Sequence, residues 1–436
     1  MPGPARGVPQ VPAPSRTAGE RVHAVVRTAA PVVAAVALLT AVLLFVFGDP
    51  PLLRWLPSPD IAAMHVDFDT FWRSAHALAE QGAGSAAVYD TGARLHNLNP
   101  PLLSVLLVPF GLLDPVLAYR LFTALSVVLV VVAVGAVCRE TGIGRRWSVL
   151  VLGGVLASSP LHGTLLLGQV YPLLLALLVA GLLAERRGRP YLAATCYGIM
   201  VALKPSLAPV LFLPAVQRRW RPFLAGIGAA AVATVIGVVV AGLPTAWQWL
   251  AMALAEPVGP TPDNASLPGL ALRWGLPTVV GTVAGAVLLI GTLVHYARRT
   301  ARYGRSAAAG TDPAGTALSA VLATGLLTAP IAWHNYLLLL VPGLVVLAAS
   351  GRPGDTRRRV VVAILALAVV PVSWSGLWPD GGLLTPLAHG LYTAVLLATW
   401  WSLLRPSTVR PPFTDANGRT DPAAFRSAEG GSRTFG

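Results

Sequence analysis

Long apolar stretches alternate with short polar segments along most of the chain. A helix that crosses a bilayer needs about 20 mostly apolar residues, and many of the stretches approach that length. We expect helical membrane segments, some of them short, at 29–48, 116–138, 147–163, 169–184, 190–203, 206–216, 222–243, 277–296, 315–330, 336–349, 359–378 and 385–404. The pattern therefore predicts an all-α polytopic membrane protein, a transmembrane bundle of about 10–13 segments.

Composition supports this class. Hydrophobic residues make up 55% of the 436 residues and charged residues only 11%, with a mean hydropathy of +0.67. A soluble domain carries roughly 25% charged residues, so the composition excludes that class. The two cysteines, Cys138 and Cys196, fall in apolar stretches and offer no framework for a disulfide or a zinc site. We interpret the apolar run 29–47, which follows several arginines, as a retained signal anchor.

The distribution of charge predicts the topology. The net charge of +14 would suit a nucleic-acid partner, but the basic residues lie in short loops between apolar stretches, where they set membrane orientation instead. Placing both termini in the cytoplasm puts most arginines inside and the long loops 49–115 and 244–276 outside. We therefore predict a multi-pass protein of a bacterial plasma membrane, surrounded by membrane lipids, with its function on the extracytoplasmic side.

The two ends of the chain differ from the apolar middle. The tails 1–28 and 406–436 are rich in Pro, Gly, Ser and Arg, which predicts disorder. They flank a predicted membrane domain at 29–405. Within its first outer loop, the apolar piece Leu102–Leu113 is too short to cross the bilayer and is predicted to be re-entrant or interfacial.

The first outer loop also contains a helical pattern with acidic residues at its start. Apolar side chains recur with helical spacing from Phe68 to Ala79, which predicts an amphipathic helix lying at the membrane interface. Asp67 precedes the first apolar residue, so its carboxylate could cap the helix or act as a general base on an acceptor hydroxyl, and the two roles are compatible. We expect Asp69 to be a solvated or supporting carboxylate, with Arg73 one turn further on as its partner.

Lys204 is the only lysine among 32 basic residues. It lies in apolar sequence, where an ionisable group is costly and usually functional. The apolar arms on either side are too short to cross the bilayer alone, so we predict a helix break at Lys204-Pro205, with Pro205 in the first turn of the second arm. An ammonium beside a helix N-terminus suits a lipid phosphate. The alternative is that a single lysine survives by chance in an arginine-biased genome.

Further polar residues lie near the outer ends of apolar stretches. Gln169 could hydrogen-bond a sugar or bridge two helices, as many intramembrane amides do. Trp333 and Tyr336 fit the role of interface anchors. His334, between them, fits that role less well and is a candidate site residue. Asn264 stands in a glycosylation sequon, Asn-Ala-Ser.

Taken together, these motifs resemble glycosyltransferase family 87, the polyprenyl-phosphate-sugar-dependent mannosyltransferases of actinobacteria with the multi-spanning GT-C architecture. The resemblance runs from Val66 to Pro342 and rests on the order and spacing of Asp67-Phe68, Val88-Tyr89-Asp90, Asn99-Pro100-Pro101, Gly168-Gln169, Leu203-Lys204-Pro205, Arg218-Arg219-Trp220-Arg221, Asn264-Ala265-Ser266-Leu267 and Pro330-Ile331-Ala332-Trp333-His334. Two positions depart from the family pattern. Val170 stands where Asn is usual and Asn335 where a second His is common, which points to a different sugar or acceptor.

The resemblance implies transfer of a sugar from a polyprenyl-phosphate donor in the outer leaflet to an extracytoplasmic glycan or glycolipid. It implies that Asp67, supported by Asp69, is the catalytic base of an inverting reaction, and that Lys204 binds the donor phosphate. The implied substrate-binding residues are Tyr89, Gln169, Asn264, Trp333 and His334.

Three questions stay open at this stage. The donor sugar is mannose or, as an alternative, arabinofuranose. A divalent metal could join Asp67 and Asp69, and no other cofactor is implied. A flippase or transporter of lipid-linked sugars is the alternative function, because transporter sites also use broken helices and buried charge.

Overall fold

The computed structural model describes residues 60–156, 158–311, 316–350 and 385–404. Within these ranges the chain is helical, apart from loops and one isolated antiparallel bridge between Asn264 and Trp333. The predicted all-α fold class is therefore confirmed. The predicted segments 29–48 and 359–378 and both tails lie outside the described residues.

The helices are numbered here in chain order. The described α-helices are α1 (Ile61–Met64), α2 (Val66–Gln81), α3 (Pro101–Gly111), α4 (Pro115–Glu140), α5 (Arg145–Leu156), α6 (Ser159–Leu167), α7 (Tyr171–Arg186), α8 (Pro190–Leu203), α9 (Phe212–Val216), α10 (Trp220–Ala241), α11 (Leu243–Ala255), α12 (Leu267–Arg273), α13 (Thr278–Thr311), α14 (Thr316–Thr328), α15 (Val341–Ser350) and α16 (Thr385–Leu404). Between them lie 3-10 helices at Ala86–Val88, Pro205–Leu211 and His334–Leu340.

Three helical stretches are long and apolar enough to cross a bilayer when the described residues are searched. They are Pro115–Glu140, Trp220–Ala241 and Thr278–Ala301. Only 39%, 17% and 17% of their most apolar windows are buried against protein. Most of this apolar surface faces outward, as it does on helices that contact lipid.

Other predicted spans are assembled from shorter pieces. A single helix was expected at 147–163, but α5 and α6 are bent by 52° relative to each other. The cause lies in the sequence at the start of α6, where Ser158 caps the new helix through its hydroxyl and Pro160 occupies the first turn. Pro lacks the N–H that a continuing helix would need, so the chain restarts there.

The break after α8 confirms the prediction at Lys204-Pro205. The arm that follows differs from the expected α-helix, because it begins as the 3-10 helix Pro205–Leu211 and becomes α-helical only at Phe212. Pro205 and Pro209 supply no backbone N–H donors, which weakens regular α-helical bonding in this arm.

The packing of the short elements determines where the polar residues meet. The 3-10 helix Pro205–Leu211 packs on α14, while His334–Leu340 packs on α6 and α7. α2 packs on α3 and touches α4 and α6. Its helical prediction is confirmed, but α2 does not simply lie on a surface, because Asp69, Thr70 and Ser74 are buried along with its apolar side chains.

Candidate active site

Asp67 lies in the first turn of α2, where His65 occupies the N-cap position without a side-chain cap bond. The N-cap interpretation of Asp67 is therefore wrong. Its carboxylate instead accepts a hydrogen bond from the side chain of Gln169 and is attracted to the charge of Lys204. Burial raises the pKa of the Asp67 carboxyl to about 6, against the opposing effects of Gln169 and Lys204. A carboxylate with a pKa near the working pH is well suited to general-base catalysis.

Aromatic packing and hydrogen bonds hold the start of α2 in place. The His65 ring stacks on Tyr119 with ring centroids 3.7 Å apart, and its Nδ1 donates to the Leu166 carbonyl at 2.6 Å. The Tyr119 hydroxyl donates to the Leu165 carbonyl at 2.6 Å. These contacts attach the helix that carries Asp67 to the C-terminal end of α6.

The turn at Gly168-Gln169 approaches α2 closely. Gly168 ends α6 with φ +74°, and the Gln169 N–H donates to the Thr164 carbonyl at 2.8 Å. A Cβ on Gly168 would lie 2.3 Å from the Phe68 Cβ, so only glycine fits both the conformation and the space. This approach places the buried Gln169 amide beside Asp67.

Lys204 lies at the break between α8 and the 3-10 helix that follows. Its Nζ donates to Asn99 Oδ1 at 3.0 Å. The ammonium is also 5.6 Å from the ring centroid of Tyr336 and 6.0 Å from that of Tyr171, within the range of a cation–π interaction. An ammonium has three N–H donors, and Asn99 uses one of them.

The second outer loop meets the 330–336 segment through Asn264. Its Oδ1 accepts from the Ala332 N–H at 2.9 Å and its Nδ2 donates to the Pro330 carbonyl at 3.1 Å. These hydrogen bonds join the two segments. Asn264 is fully buried, at 0% exposure, so in this fold it is inaccessible as a glycan acceptor. Trp333, its backbone bridge partner, is partly buried.

His334 follows the segment that Asn264 binds, and it faces a second carboxylate, that of Asp263. Its Nδ1 is 4.0 Å from Asp263 Oδ1, and its ring stacks on Tyr392 with centroids 5.1 Å apart. Burial raises the pKa of Asp263 to about 6, while the nearby Arg273 charge acts in the opposite direction. Tyr336 is only 3% exposed, so the interface-anchor interpretation of that residue is wrong.

Tyr89 and Asp69 are two further predicted site residues that do not contact Asp67 or Lys204 directly. The Tyr89 hydroxyl donates to the Asn99 carbonyl at 2.7 Å, so Tyr89 supports the partner of Lys204. Both Asp69 oxygens accept from Arg73 Nε at 2.9 Å. The predicted Arg73 partner is confirmed, whereas a solvated Asp69 is wrong because that residue is 5% exposed.

The geometry does not support a metal shared by Asp67 and Asp69. Side chains two positions apart on a helix do not face each other, and Arg73 already occupies the Asp69 carboxylate. In the part of the chain that the structure describes, no group of three or more His, Cys, Asp or Glu side chains could hold a metal ion.

Several buried polar atoms around this region lack a protein partner. Among the described residues they include Gln169 Oε1, Ser206 Oγ and both polar atoms of the Asn335 side chain. Asn335 is 0% exposed. Buried polar groups are nearly always hydrogen-bonded because an unpaired one costs about 1–3 kcal/mol. Unpaired buried polar atoms such as these are available to a polar ligand.

Sequence reasoning did not assign roles to several of these residues. Asn99 belongs to the Asn-Pro-Pro motif, and Tyr171 follows the Gly-Gln pair, so both carried a motif signal without a function. In the sequence, Asn335 is marked only by its departure from the family pattern. Nothing in the local sequence marked Asp263, because its partner His334 is 71 residues away and meets it only in the folded protein.

Comparison with known proteins decides the family. A model described as glycosyltransferase family 87 matches residues 97–323, more than half of the chain. The chain belongs to glycosyltransferase family 87. The matched region contains Asn99, Gln169 and Lys204 of this family 87 member, and Asp67 and His334 lie on either side of it.

Curated relatives are similar at low identity. The polyprenol-phosphate-mannose-dependent α-(1-2)-phosphatidylinositol mannoside mannosyltransferase of Mycobacterium tuberculosis is 25% identical over 71% of this chain and 76% of its own length. The enzyme of the same name from Mycolicibacterium smegmatis is 26% identical over 72% and 76%. An α-(1->3)-arabinofuranosyltransferase of Corynebacterium glutamicum is 28% identical, but the match spans 42% of this chain and only 44% of that relative. No solved structure matches the chain.

Proposed function

We propose that this family 87 member transfers one sugar from a polyprenyl-phosphate donor to an extracytoplasmic glycan or glycolipid. The observation that carries the proposal is the meeting of the Asp67 carboxylate, the Gln169 amide and the Lys204 ammonium among buried polar atoms that lack partners. A base and a cation in one partly dehydrated site suit a reaction that removes a proton from one oxygen and leaves negative charge on another.

In this mechanism Asp67 removes the proton from the acceptor hydroxyl. The acceptor oxygen then bonds to the anomeric carbon as the bond from that carbon to the phosphate oxygen breaks. The electron pair of the broken bond leaves with the polyprenyl phosphate, and Lys204 stabilises its charge. Attack opposite the leaving group inverts the anomeric carbon, so a β-linked donor gives an α-linkage.

We propose mannose as the donor sugar, with arabinofuranose as the alternative. The mannosyltransferase relatives align with 71–72% of this chain, whereas the arabinofuranosyltransferase relative aligns with 42%. The greater length shared with the mannosyltransferases favours mannose.

We further propose that the site opens to the extracytoplasmic side and that both termini are cytoplasmic, because the arginine-bearing loops then face inward. Single cysteines introduced by Asp90→Cys and Arg146→Cys, in a chain with Cys138 and Cys196 changed to Ala, test this orientation. A membrane-impermeant maleimide applied to intact cells should label the first and not the second. Labelling of Arg146→Cys alone would contradict the orientation.

Transfer by the purified protein tests the function. We expect radiolabelled mannose to move from polyprenyl phosphate to a phosphatidylinositol mannoside acceptor, and Asp67→Asn to lower that rate by about 10²–10⁴-fold, the usual contribution of a general base. Asp114→Asn is the matched control, because Asp114 caps α4 through its side chain and Asn caps helices equally well.

Full activity of Asp67→Asn would eliminate Asp67 as the base. Movement of the donor across sealed vesicles without acceptor would favour the transporter alternative.

A further inference from the structure

A buried network of polar side chains surrounds the partner of Lys204. Asn99 accepts from Lys204 Nζ through its Oδ1 at 3.0 Å, and its own Nδ2 donates to Asn97 Oδ1 at 3.3 Å. The same Asn97 oxygen accepts from the Asn99 backbone N–H at 3.1 Å. Asn97 and Asn99 are 1% and 2% exposed, so water does not compete effectively for these bonds.

The network fixes which end of the Asn99 amide faces the lysine. Because Nδ2 is directed to Asn97, Oδ1 must face the ammonium. A flipped amide would place its NH2 group against the ammonium and lose both bonds. The Asn99 carbonyl also accepts from the Tyr89 hydroxyl at 2.7 Å, which anchors the backbone of the same residue. Buried, well-satisfied networks of this kind make a local structure rigid.

The network also connects the lysine to the helix that carries the carboxylate. Asn97 Nδ2 donates to Ser74 Oγ at 2.9 Å and reaches Ser104 Oγ at 3.4 Å. Ser74 lies on α2, two turns after Asp67 and on the same face of the helix. The cation and the base are therefore tied to one helix through Asn99, Asn97 and Ser74.

We propose that Asn99 is a positioning residue that holds the Lys204 ammonium where the donor phosphate binds, with Asn97 and Ser74 fixing Asn99 in turn. The inference rests on the phosphate-binding role proposed for Lys204. One ammonium N–H is used by the neutral Asn99 amide, so the full positive charge and the other two donors remain for the phosphate oxygens. A carboxylate at position 99 would orient the lysine equally well but would neutralise its charge.

Two substitutions of Asn99 distinguish the orientation of the Lys204 ammonium from its charge. Asn99→Ala removes the acceptor, whereas Asn99→Asp keeps an oxygen beside the ammonium and adds a negative charge. Thr399→Val serves as control, because it removes a buried hydroxyl of α16 that donates within its own helix, at 2.8 Å to the Val395 carbonyl. Each protein is purified and checked for thermal unfolding, and KM and kcat are measured for polyprenyl-phosphate mannose and for the acceptor. Binding of sugar-free polyprenyl monophosphate is measured separately.

We expect the donor KM to increase from the wild type to Asn99→Ala and further to Asn99→Asp. Asn99→Ala raises the donor KM about tenfold, the effect of losing one charge-assisted hydrogen bond, and leaves the acceptor KM unchanged. Asn99→Asp raises the donor KM further and weakens the binding of polyprenyl monophosphate more than Asn99→Ala does, because its carboxylate neutralises the charge of Lys204. Thr399→Val changes neither quantity.

Several results would overturn the positioning role proposed for Asn99. An unchanged donor KM in Asn99→Ala excludes the positioning role, and phosphate binding by Asn99→Asp that equals or exceeds that of Asn99→Ala shows a merely structural role. If Asn99→Asp does not fold, the donor KM of Asn99→Ala alone decides whether Asn99 positions Lys204. A wild-type protein that binds polyprenyl monophosphate but transfers no sugar contradicts the proposed function, and the binding measurement then still tests Asn99. A wild-type protein that does neither contradicts both.

Discussion

Asp67 and Lys204 illustrate what a sequence can reveal about single residues. A single lysine in apolar sequence is visible without a structure because it is costly where it stands, and an acid at the start of a helical pattern is visible because a helix N-terminus favours negative charge. Their partners are not visible, since Gln169 is 102 positions away from Asp67 and Asn99 is 105 positions away from Lys204. Only the folded chain shows that the carboxylate and the ammonium interact.

The raised pKa of Asp67 predicts the pH dependence of transfer. The base works only when deprotonated, and its pKa is raised to about 6 by burial. Activity should therefore fall as the pH drops through about 6, instead of falling near 4 as it would for an exposed carboxylate. A profile of log kcat/KM between pH 4.5 and 8, taken with the purified protein, measures this acid limb.

Gln169→Leu provides a directed test of that limb. The Gln169 hydrogen bond favours the charged carboxylate and lowers its pKa. Its loss should move the acid limb to higher pH while activity on the alkaline side is partly retained. A limb that stays at the wild-type position would show that Gln169 does not contact the working form of Asp67, and a limb near 4 in the wild type would exclude Asp67 as the titrating base.

The elements were predictable where one physical rule dominates. The bounds of α8 and α16 agree with the predicted stretches 190–203 and 385–404, because hydrophobicity and flanking breakers act together there. The 3-10 helices at 205–211 and 334–340 were expected to be α-helical. Apolar composition alone does not distinguish the two helix types, and the packing of these segments on α14, α6 and α7 is a tertiary effect.

The turn between α6 and α7 offers a test of how elements position the site. Gly168→Ala should lower kcat by about tenfold or more and reduce thermal stability, because its Cβ would lie 2.3 Å from the Phe68 Cβ at a positive φ and push α2 away from Gln169. Gly135→Ala is the control, since a Cβ there meets no atom within 4 Å and alanine favours helix. Equal activity of both variants would show that this close approach does not position Asp67.

The molecule as a whole combines long lipid-facing helices with a polar interior made of short ones. The three long stretches bury little of their surface, while the site residues come from helix ends, loops and 3-10 segments that only the assembled bundle shields. The sequence predicted the class and the break at Lys204-Pro205, since both follow from apolar length, but it did not predict the break between α5 and α6. It did not predict that α2 is enclosed by other elements. Helical periodicity identifies the apolar face of a helix, but it does not show which elements pack against the polar face.

Lys204→Arg is the sharpest test of our proposal that Lys204 binds the phosphate of a lipid-linked sugar in the same site as Asp67. Arginine keeps the positive charge but replaces a compact ammonium by a longer planar group, so it would change the contacts that Lys204 Nζ makes with Asn99, Tyr171 and Tyr336. We expect transfer from polyprenyl-phosphate mannose by the purified Lys204→Arg protein to fall at least about tenfold, mainly through a raised KM for the donor. Full activity with an unchanged donor KM would contradict it, and the lysine would then be a chance survivor among arginines.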